Sequence, residues 1–113
     1  MAKNKLTATA AFDRRAKRFL RKFPALEQEL DELGKELLSN PELGTSIGAG
    51  MYKIRLASKS KGGGKSGGFR VVTYLLKKTS DSTEVFLLVI YDKSEEASIN
   101  IKALKKMIED HLQ

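Results

Sequence analysis

Apolar residues in the amino-terminal part of the chain recur at the spacing of helices. These apolar residues form two stripes, separated by Pro24. Arginine and lysine fill most positions between the residues of the first stripe. Thr9 is placed to cap the first helix, and Asn40-Pro41 and Gly44 are placed to end the second. The stripes are Phe12, Ala16, Phe19, Leu20 and Phe23, then Leu26, Leu30, Leu33, Leu37 and Leu38. The pattern predicts two helices, the first basic and the second acidic on its outer positions.

The period changes to two at Met51, where apolar and basic residues begin to alternate. Lys53 and Arg55 share one face of the strand that this alternation predicts. Two further strands are expected at residues 69–76 and 85–91, the first of them central because it is apolar on both faces apart from an arginine and a threonine. Residues 5–9 alternate weakly, as a short first strand does. Four strands and three helices therefore indicate an α+β fold.

A final helix is expected near the carboxyl end of the chain. Ser98 is placed to cap it, and its apolar stripe consists of Ile101, Leu104, Ile108 and Leu112. With 113 residues and no linker-like segment, the chain fits one domain, residues 1–113.

Composition excludes several classes of site. The chain has no cysteine and a single histidine, His111, so neither a disulfide framework nor a thiolate or histidine-rich metal site is expected. The basic amino terminus lacks the apolar core of a signal peptide, and the longest apolar run is too short to span a bilayer. We expect a cytoplasmic protein that needs no metal or cofactor and does not bind membranes.

The positive charge is concentrated in one interval. Between Leu43 and Ser80 there are eight lysines and arginines and no acidic residue, although the whole chain is only +7. A local excess of cations beside a glycine-rich loop indicates a polyanionic ligand. The loop ends in Gly64-Lys65-Ser66, but the first glycine of a P-loop falls on Lys59 and a strand follows instead of a helix, so a nucleotide-binding P-loop is excluded.

Within that interval, Arg70 is the strongest candidate for chemistry. It follows the glycine loop in an otherwise apolar strand, where an unpaired guanidinium would be costly to bury. It either pairs with a carboxylate, such as Asp92, or clamps a phosphate, and the nearby face of Lys53 and Arg55 favours the phosphate. Lys59, Lys61 and Lys65 in the loop are candidate RNA contacts, although loop lysines are more often only solvated.

Tyr91 and Lys93 are two positions apart at the end of the last strand, so we expect their side chains on the same face of the sheet. Neighbouring cations would lower the pKa of both groups and make either a candidate general acid or base. The plainer interpretation of Tyr91 is a core residue. Tyr74 and Phe69 are candidates for stacking on bases, with core packing as the more common alternative. His111 is interpreted as a solvated residue at a helix end.

The motifs YKIRLAS, GKSGGFRVV and IYDKSE occur in an order that resembles toxins of the RelE superfamily, and within it the HigB-like group. The resemblance covers nearly the whole chain, from about Thr9 to the last helix. It implies a RelE-like, microbial-ribonuclease-type fold: two N-terminal helices packed on a mostly antiparallel sheet of about four strands, plus a C-terminal helix.

The same resemblance implies the toxin of a type II toxin-antitoxin system, a ribosome-dependent endoribonuclease that cuts mRNA without metal through the RNA 2′-hydroxyl. Lys53, Arg55 and Arg70 match the family's phosphate-binding cations, and Tyr91 and Lys93 match positions of further active-site groups. The implied partners are a cognate antitoxin protein, the ribosome and mRNA, with operator DNA only through the antitoxin complex. A ParE-like gyrase poison and a non-catalytic nucleic-acid-binding module remain the alternatives.

Overall fold

A mixed five-stranded sheet forms the centre of the computed structural model, which describes residues 4–61 and 68–112. A short 3₁₀ turn, Lys59–Lys61, follows the third strand. The elements in chain order are β1 (Lys5–Ala8), α1 (Ala10–Lys22), α2 (Leu26–Ser39), β2 (Thr45–Gly48), β3 (Met51–Leu56), β4 (Phe69–Thr79), β5 (Ser82–Asp92) and α3 (Ile101–Leu112).

The strands are ordered β1-β5-β4-β3-β2, and only the β1–β5 pair is parallel. The predicted α+β class and the central position of β4 are confirmed. The predicted number of about four strands is too small, because β2 pairs with the start of β3. This strand has four residues, three of them exposed, between Gly44 and Gly50. A segment so short and polar gives no alternation that a sequence pattern can reveal.

Helices α1 and α2 cover one face of the sheet, which we call the first face. Thr9 caps α1 as predicted, because its hydroxyl accepts a hydrogen bond from the Phe12 amide at 3.1 Å. Leu38 was predicted in the apolar stripe of α2 but is exposed. The core on this face is formed by Phe12, Ala16, Phe19, Leu26, Leu33, Leu37, Ile54, Phe69, Val71, Val85, Leu87 and Ile90.

Helix α3 lies on the opposite, second face of the sheet. It begins later than predicted, because Asn100 and not Ser98 caps it: the Asn100 side-chain oxygen accepts from the Ala103 amide at 2.8 Å. Its Leu104 is buried with Met51, Val72, Phe86, Leu88, Val89 and Tyr91. Among the residues that the structure describes, no helix is long and apolar enough to cross a membrane.

A β-bulge in β5 determines which residues reach the second face. Val72 pairs with Val89 and Thr73 with Leu87, so Leu88 is an extra residue with no partner on β4. Leu88 and Val89 therefore both belong to the core of the second face. The bulge shifts the alternation of every later residue, and Tyr91 lies on the second face because of it.

We expect Leu104→Ala to destabilise the protein by about 2–5 kcal/mol, because it removes the side chain that anchors α3 to the sheet. Leu104 is 1% exposed, whereas Ile101 of the same helix is 39% exposed. Ile101→Ala is therefore the matched control and should change stability by less than about 0.5 kcal/mol. Urea denaturation of both variants measures the difference. Equal losses would show that α3 is not held through Leu104.

Candidate nucleic-acid interface

Three functional candidates stand side by side across the three central strands. Arg55 of β3 pairs with Arg70 of β4, and Arg70 pairs with Tyr91 of β5. Directly opposed residues of an antiparallel sheet share a face, with Cβ atoms about 4.5–5.5 Å apart. We call these three residues the cation row, and they lie on the second face, beside the part that α3 covers.

Lys53 extends the positive surface along the same face. It lies two residues before Arg55 and opposite Val72, whose side chain belongs to the core of the second face. Arg55 is exposed and Lys53 is half-buried. In the part of the chain that the structure describes, neither side chain forms a hydrogen bond or an ion pair. Both are therefore available to an anionic ligand.

Arg70 is much more buried than Arg55 and Lys53. It is only 5% exposed, and its Nη1 donates a hydrogen bond to the carbonyl oxygen of Phe69 at 3.2 Å. Arg55 and Arg70 are like charges at directly opposed positions, an arrangement that destabilises a sheet unless other groups compensate it. A phosphate placed between the two guanidinium groups would convert that repulsion into attraction.

Tyr91 was expected to have a lowered pKa, and this expectation is wrong. Its side chain is fully buried, and its hydroxyl has no hydrogen-bond partner in the described part of the protein. Burial raises the pKa of Tyr91, Arg70 opposes that increase less strongly, and Glu96 adds to it. The raised pKa favours the protonated phenol, which argues against a tyrosinate base; a role as general acid stays a prediction.

Lys93 lies just beyond the end of β5 and is exposed. Its ammonium donates to the carbonyl oxygen of Ala97 at 3.1 Å, within the turn that follows the strand. Its amide donates to the Gly68 carbonyl oxygen at 3.2 Å, so backbone pairing with the start of β4 continues to Lys93. That Lys93 and Tyr91 act on one side of the sheet stays a prediction.

Of the two aromatic candidates for base stacking, Phe69 is buried and Tyr74 is half-buried against the core of the second face. Phe69 is buried on the first face, where its ring meets the edges of Phe19 and Phe23. Tyr74 lies on the second face and stacks on Phe86, with ring centroids 6.2 Å apart. Both positions agree with the alternative of core packing.

The loop lysines do not share one environment. Lys59 is exposed, and its amide donates to Glu29 Oε2 at 2.9 Å. Lys61 is turned inward: its ammonium pairs with Asp92 at 2.5 Å and lies 5.2 Å from the ring centroids of both Phe23 and Phe69. Lys65 and the glycines at 62–64 and 67 lie outside the described residues.

The pair of Lys61 and Asp92 is a buried clamp at the end of the sheet. The two side chains are 11% and 6% exposed. Burial would raise the pKa of Asp92, but hydrogen bonds from Lys61 and from Ser94 outweigh it, so this pKa is lowered. Asp92 is paired with Phe69, one row from Arg70 and Tyr91 but on the other face. Sequence patterns gave no indication of this clamp, because its residues are 31 positions apart.

The basic surface of α1 is partly neutralised by the turn after β5. Arg18 binds Glu95 through two hydrogen bonds, at 3.0 and 3.2 Å, and Arg15 pairs with Glu96. Residues 94–97 are therefore tied to α1.

One structural finding and one comparison with known proteins bear on the class of site. Among the described residues, no group of three His, Asp or Glu side chains is arranged to hold a metal ion. No family model matches the chain. The geometry of the cation row is therefore the main guide to function.

We expect Asp92→Asn to destabilise the protein by about 3–5 kcal/mol at neutral pH, because it leaves the Lys61 ammonium buried without its counter-charge. The pKa of Asp92 is lowered by folding, so its carboxylate stabilises the protein above the unfolded pKa of about 3.9. That stabilisation is lost as the pH falls through the folded pKa. The difference between the two proteins should therefore shrink below about pH 4.

Urea denaturation across a pH series measures this difference. Glu95→Gln is the control, since Glu95 is exposed and its ion pair with Arg18 lies at the surface. A difference for Asp92→Asn that does not change with pH would contradict a charged clamp.

Proposed function

We propose that this protein is the toxin of a type II toxin-antitoxin system and that it cleaves mRNA on the ribosome. The observation that carries the proposal is the opposed pair Arg55 and Arg70, with Lys53 on the same face. Such a pair is unfavourable in an isolated sheet and suits a dianionic transition state. A RelE-like fold is part of the proposal, and two helices on one face of a largely antiparallel sheet support it.

The proposed reaction uses no nucleophile from the protein. The RNA 2′-hydroxyl loses its proton to solvent as its oxygen attacks the adjacent phosphorus, the bond to the 5′-oxygen breaks, and the leaving 5′-oxygen takes up a proton from water. The products are a 2′,3′-cyclic phosphate and a 5′-hydroxyl. Arg55 and Arg70 bind the non-bridging oxygens, whose negative charge increases in the transition state, and Lys53 binds the neighbouring phosphate.

For Tyr91 the proposal assigns a supporting role rather than that of a base. Its raised pKa argues against a tyrosinate base, and its position beside Arg70 makes it a support for that side chain. Lys93 is exposed near the same end of the sheet.

The partners follow from this proposal. The ribosome presents the mRNA, and a cognate antitoxin holds the toxin inactive. Operator DNA is contacted only through the antitoxin complex, and the RNA phosphates are bound at the cation row.

A non-catalytic RNA-binding module is the second candidate. The observation that favours it is the complete burial of Tyr91, since the cation row then presents no accessible group that could accept a proton. Cleavage and binding are therefore tested separately.

We expect Arg70→Ala and Arg55→Ala to abolish new mRNA 5′ ends within translated codons shortly after induction. Loss of one oxyanion-binding cation costs about 10²–10³-fold in rate. Arg55 is exposed, so its variant should fold normally, and circular dichroism checks both proteins. Lys35→Ala, which removes an exposed cation from α2, should cleave like the parent protein.

New 5′ ends that persist in both folded variants would overturn the nuclease proposal. If induction of the parent protein leaves the mRNA 5′ ends unchanged while the cells stop growing and show DNA damage, the protein is a gyrase poison. Unchanged ends with normal growth would select the binding module.

We also expect a salt-dependent affinity for single-stranded RNA in which Arg55 takes a measurable part. The logarithm of the binding constant should fall against the logarithm of salt with a slope of about −0.7 for each phosphate neutralised. Arg55→Ala should reduce the size of that slope by about 0.7, and Lys35→Ala should leave it unchanged. Fluorescence anisotropy of a labelled oligonucleotide in a KCl series measures both. Equal slopes for the Arg55 variant and the parent would show that Arg55 does not contact phosphate.

A further inference from the structure

A groove of about 1100 Å³ runs between α2 and the edge of β3. One wall is the acidic side of α2, with Glu29, Glu32 and Glu36. The other wall is formed by β3 and the residues after it, with the cations Lys53, Arg55 and Lys59. The groove also has an apolar lining of Leu33, Leu43, Ile47, Ile54 and Leu56.

The carboxyl-terminal half of β3 is an open strand edge within this groove. Pairing with β2 ends at Thr45 and Lys53, and beyond that point β3 is paired only with β4. The Gly50 carbonyl accepts a hydrogen bond from the Leu75 amide of β4. Because backbone groups alternate along a strand, Arg55 directs its N–H and C=O away from β4 and into the groove. An open edge of this kind is a template for another strand.

Two buried oxygens at the end of the groove have no hydrogen-bond partner within the described residues. They are Ser58 Oγ, in a residue that is 2% exposed, and Glu29 Oε1. Both residues line the groove. Buried polar atoms nearly always have a partner, so this end of the groove is suited to a ligand that donates hydrogen bonds. The carboxylate makes a cationic donor the best fit.

The charges on the walls identify the class of ligand. Three carboxylates on α2 would repel a nucleic acid placed along the groove. Lys53 and Arg55 on the second face attract acidic side chains, and Ile54 and Leu56 on the first face favour apolar ones. A β-strand meets both demands at once, because its successive side chains point to opposite faces.

We propose that the groove binds an extended segment of a partner protein, which adds to β3 as a further strand. The segment alternates acidic and apolar residues and carries a lysine or arginine near Ser58 and Glu29. The acidic residues lie beside Lys53 and Arg55, and the apolar residues lie under α2. The binding needs only the groove, so it holds whether or not the protein cleaves RNA.

The test uses labelled synthetic peptides that alternate aspartate and valine and end in arginine. Two peptides carry the arginine at opposite ends, because the added strand can run in either direction. Control peptides have the same composition in scrambled order. Fluorescence anisotropy should show one alternating peptide binding at least about tenfold more tightly than its scrambled control. Equal binding of the alternating and scrambled peptides would overturn the proposal.

Hydrogen exchange distinguishes strand addition from side-chain contact. The Arg55 amide points into the groove, so its exchange should slow by about tenfold or more when the alternating peptide binds. Peptide binding that leaves the exchange of the Arg55 amide unchanged would contradict strand addition.

Two variants test the walls. Glu32→Lys should weaken binding of the peptide by about tenfold, because the new lysine repels the arginine of the peptide. Glu27 is an exposed residue of α2 outside the groove, so Glu27→Lys should leave the binding unchanged. Ser58→Ala should raise the Tm of the free protein, because an unpartnered buried hydroxyl is removed, and should also weaken the peptide. A Ser58 variant that is more stable and binds the peptide equally well would exclude the proposed hydrogen bond from the peptide to Ser58.

The two proposals fail separately. Peptide binding without RNA cleavage would support the strand-addition proposal and contradict the nuclease proposal. Cleavage without selective peptide binding would do the reverse.

Discussion

The register of β4 with its two neighbours determines where every candidate functional residue lies. One row of this register, Arg55, Arg70 and Tyr91, faces α3, and the adjacent row, Leu56, Phe69 and Asp92, faces the helices of the first face. A slip of one residue would exchange the two rows and bury the arginines against α1. The bulge at Leu88 is part of the same constraint, because without it Tyr91 would lie with Val85 and Leu87 on the first face.

The hydrophobic pattern predicted the helices and the principal strands because each has a long periodic stripe. The cap at Thr9, the placement of Lys53 and Arg55 on one face, and the central position of β4 all follow from local spacing. The pattern missed β2, the bulge and the true start of α3. The periodic signal is too weak in each case: β2 has only four residues, the bulge adds a single residue, and the cap of α3 lies two positions later than predicted.

The candidate site was predicted less completely, and the reason is long-range packing. Charge composition identified the interval that contains Arg55 and Arg70, the two cations of the row. It did not separate Lys61 from Lys59, because the difference arises from Asp92, Phe23 and Phe69, which only the fold brings together. It also gave the wrong direction for the pKa of Tyr91: neighbouring cations can be read from sequence, whereas complete burial cannot.

Arg55 joins the two surfaces of the molecule that this structure makes available. Its side chain belongs to the cation row, and its backbone forms the open edge of β3. A strand added to that edge would place its acidic side chains beside Lys53 and Arg55, where a phosphate would otherwise bind. On the two proposals together, RNA and a partner strand would compete for Arg55, because both are attracted by the same cations. Inhibition of the cation row requires no change of fold, because the edge and the row share β3.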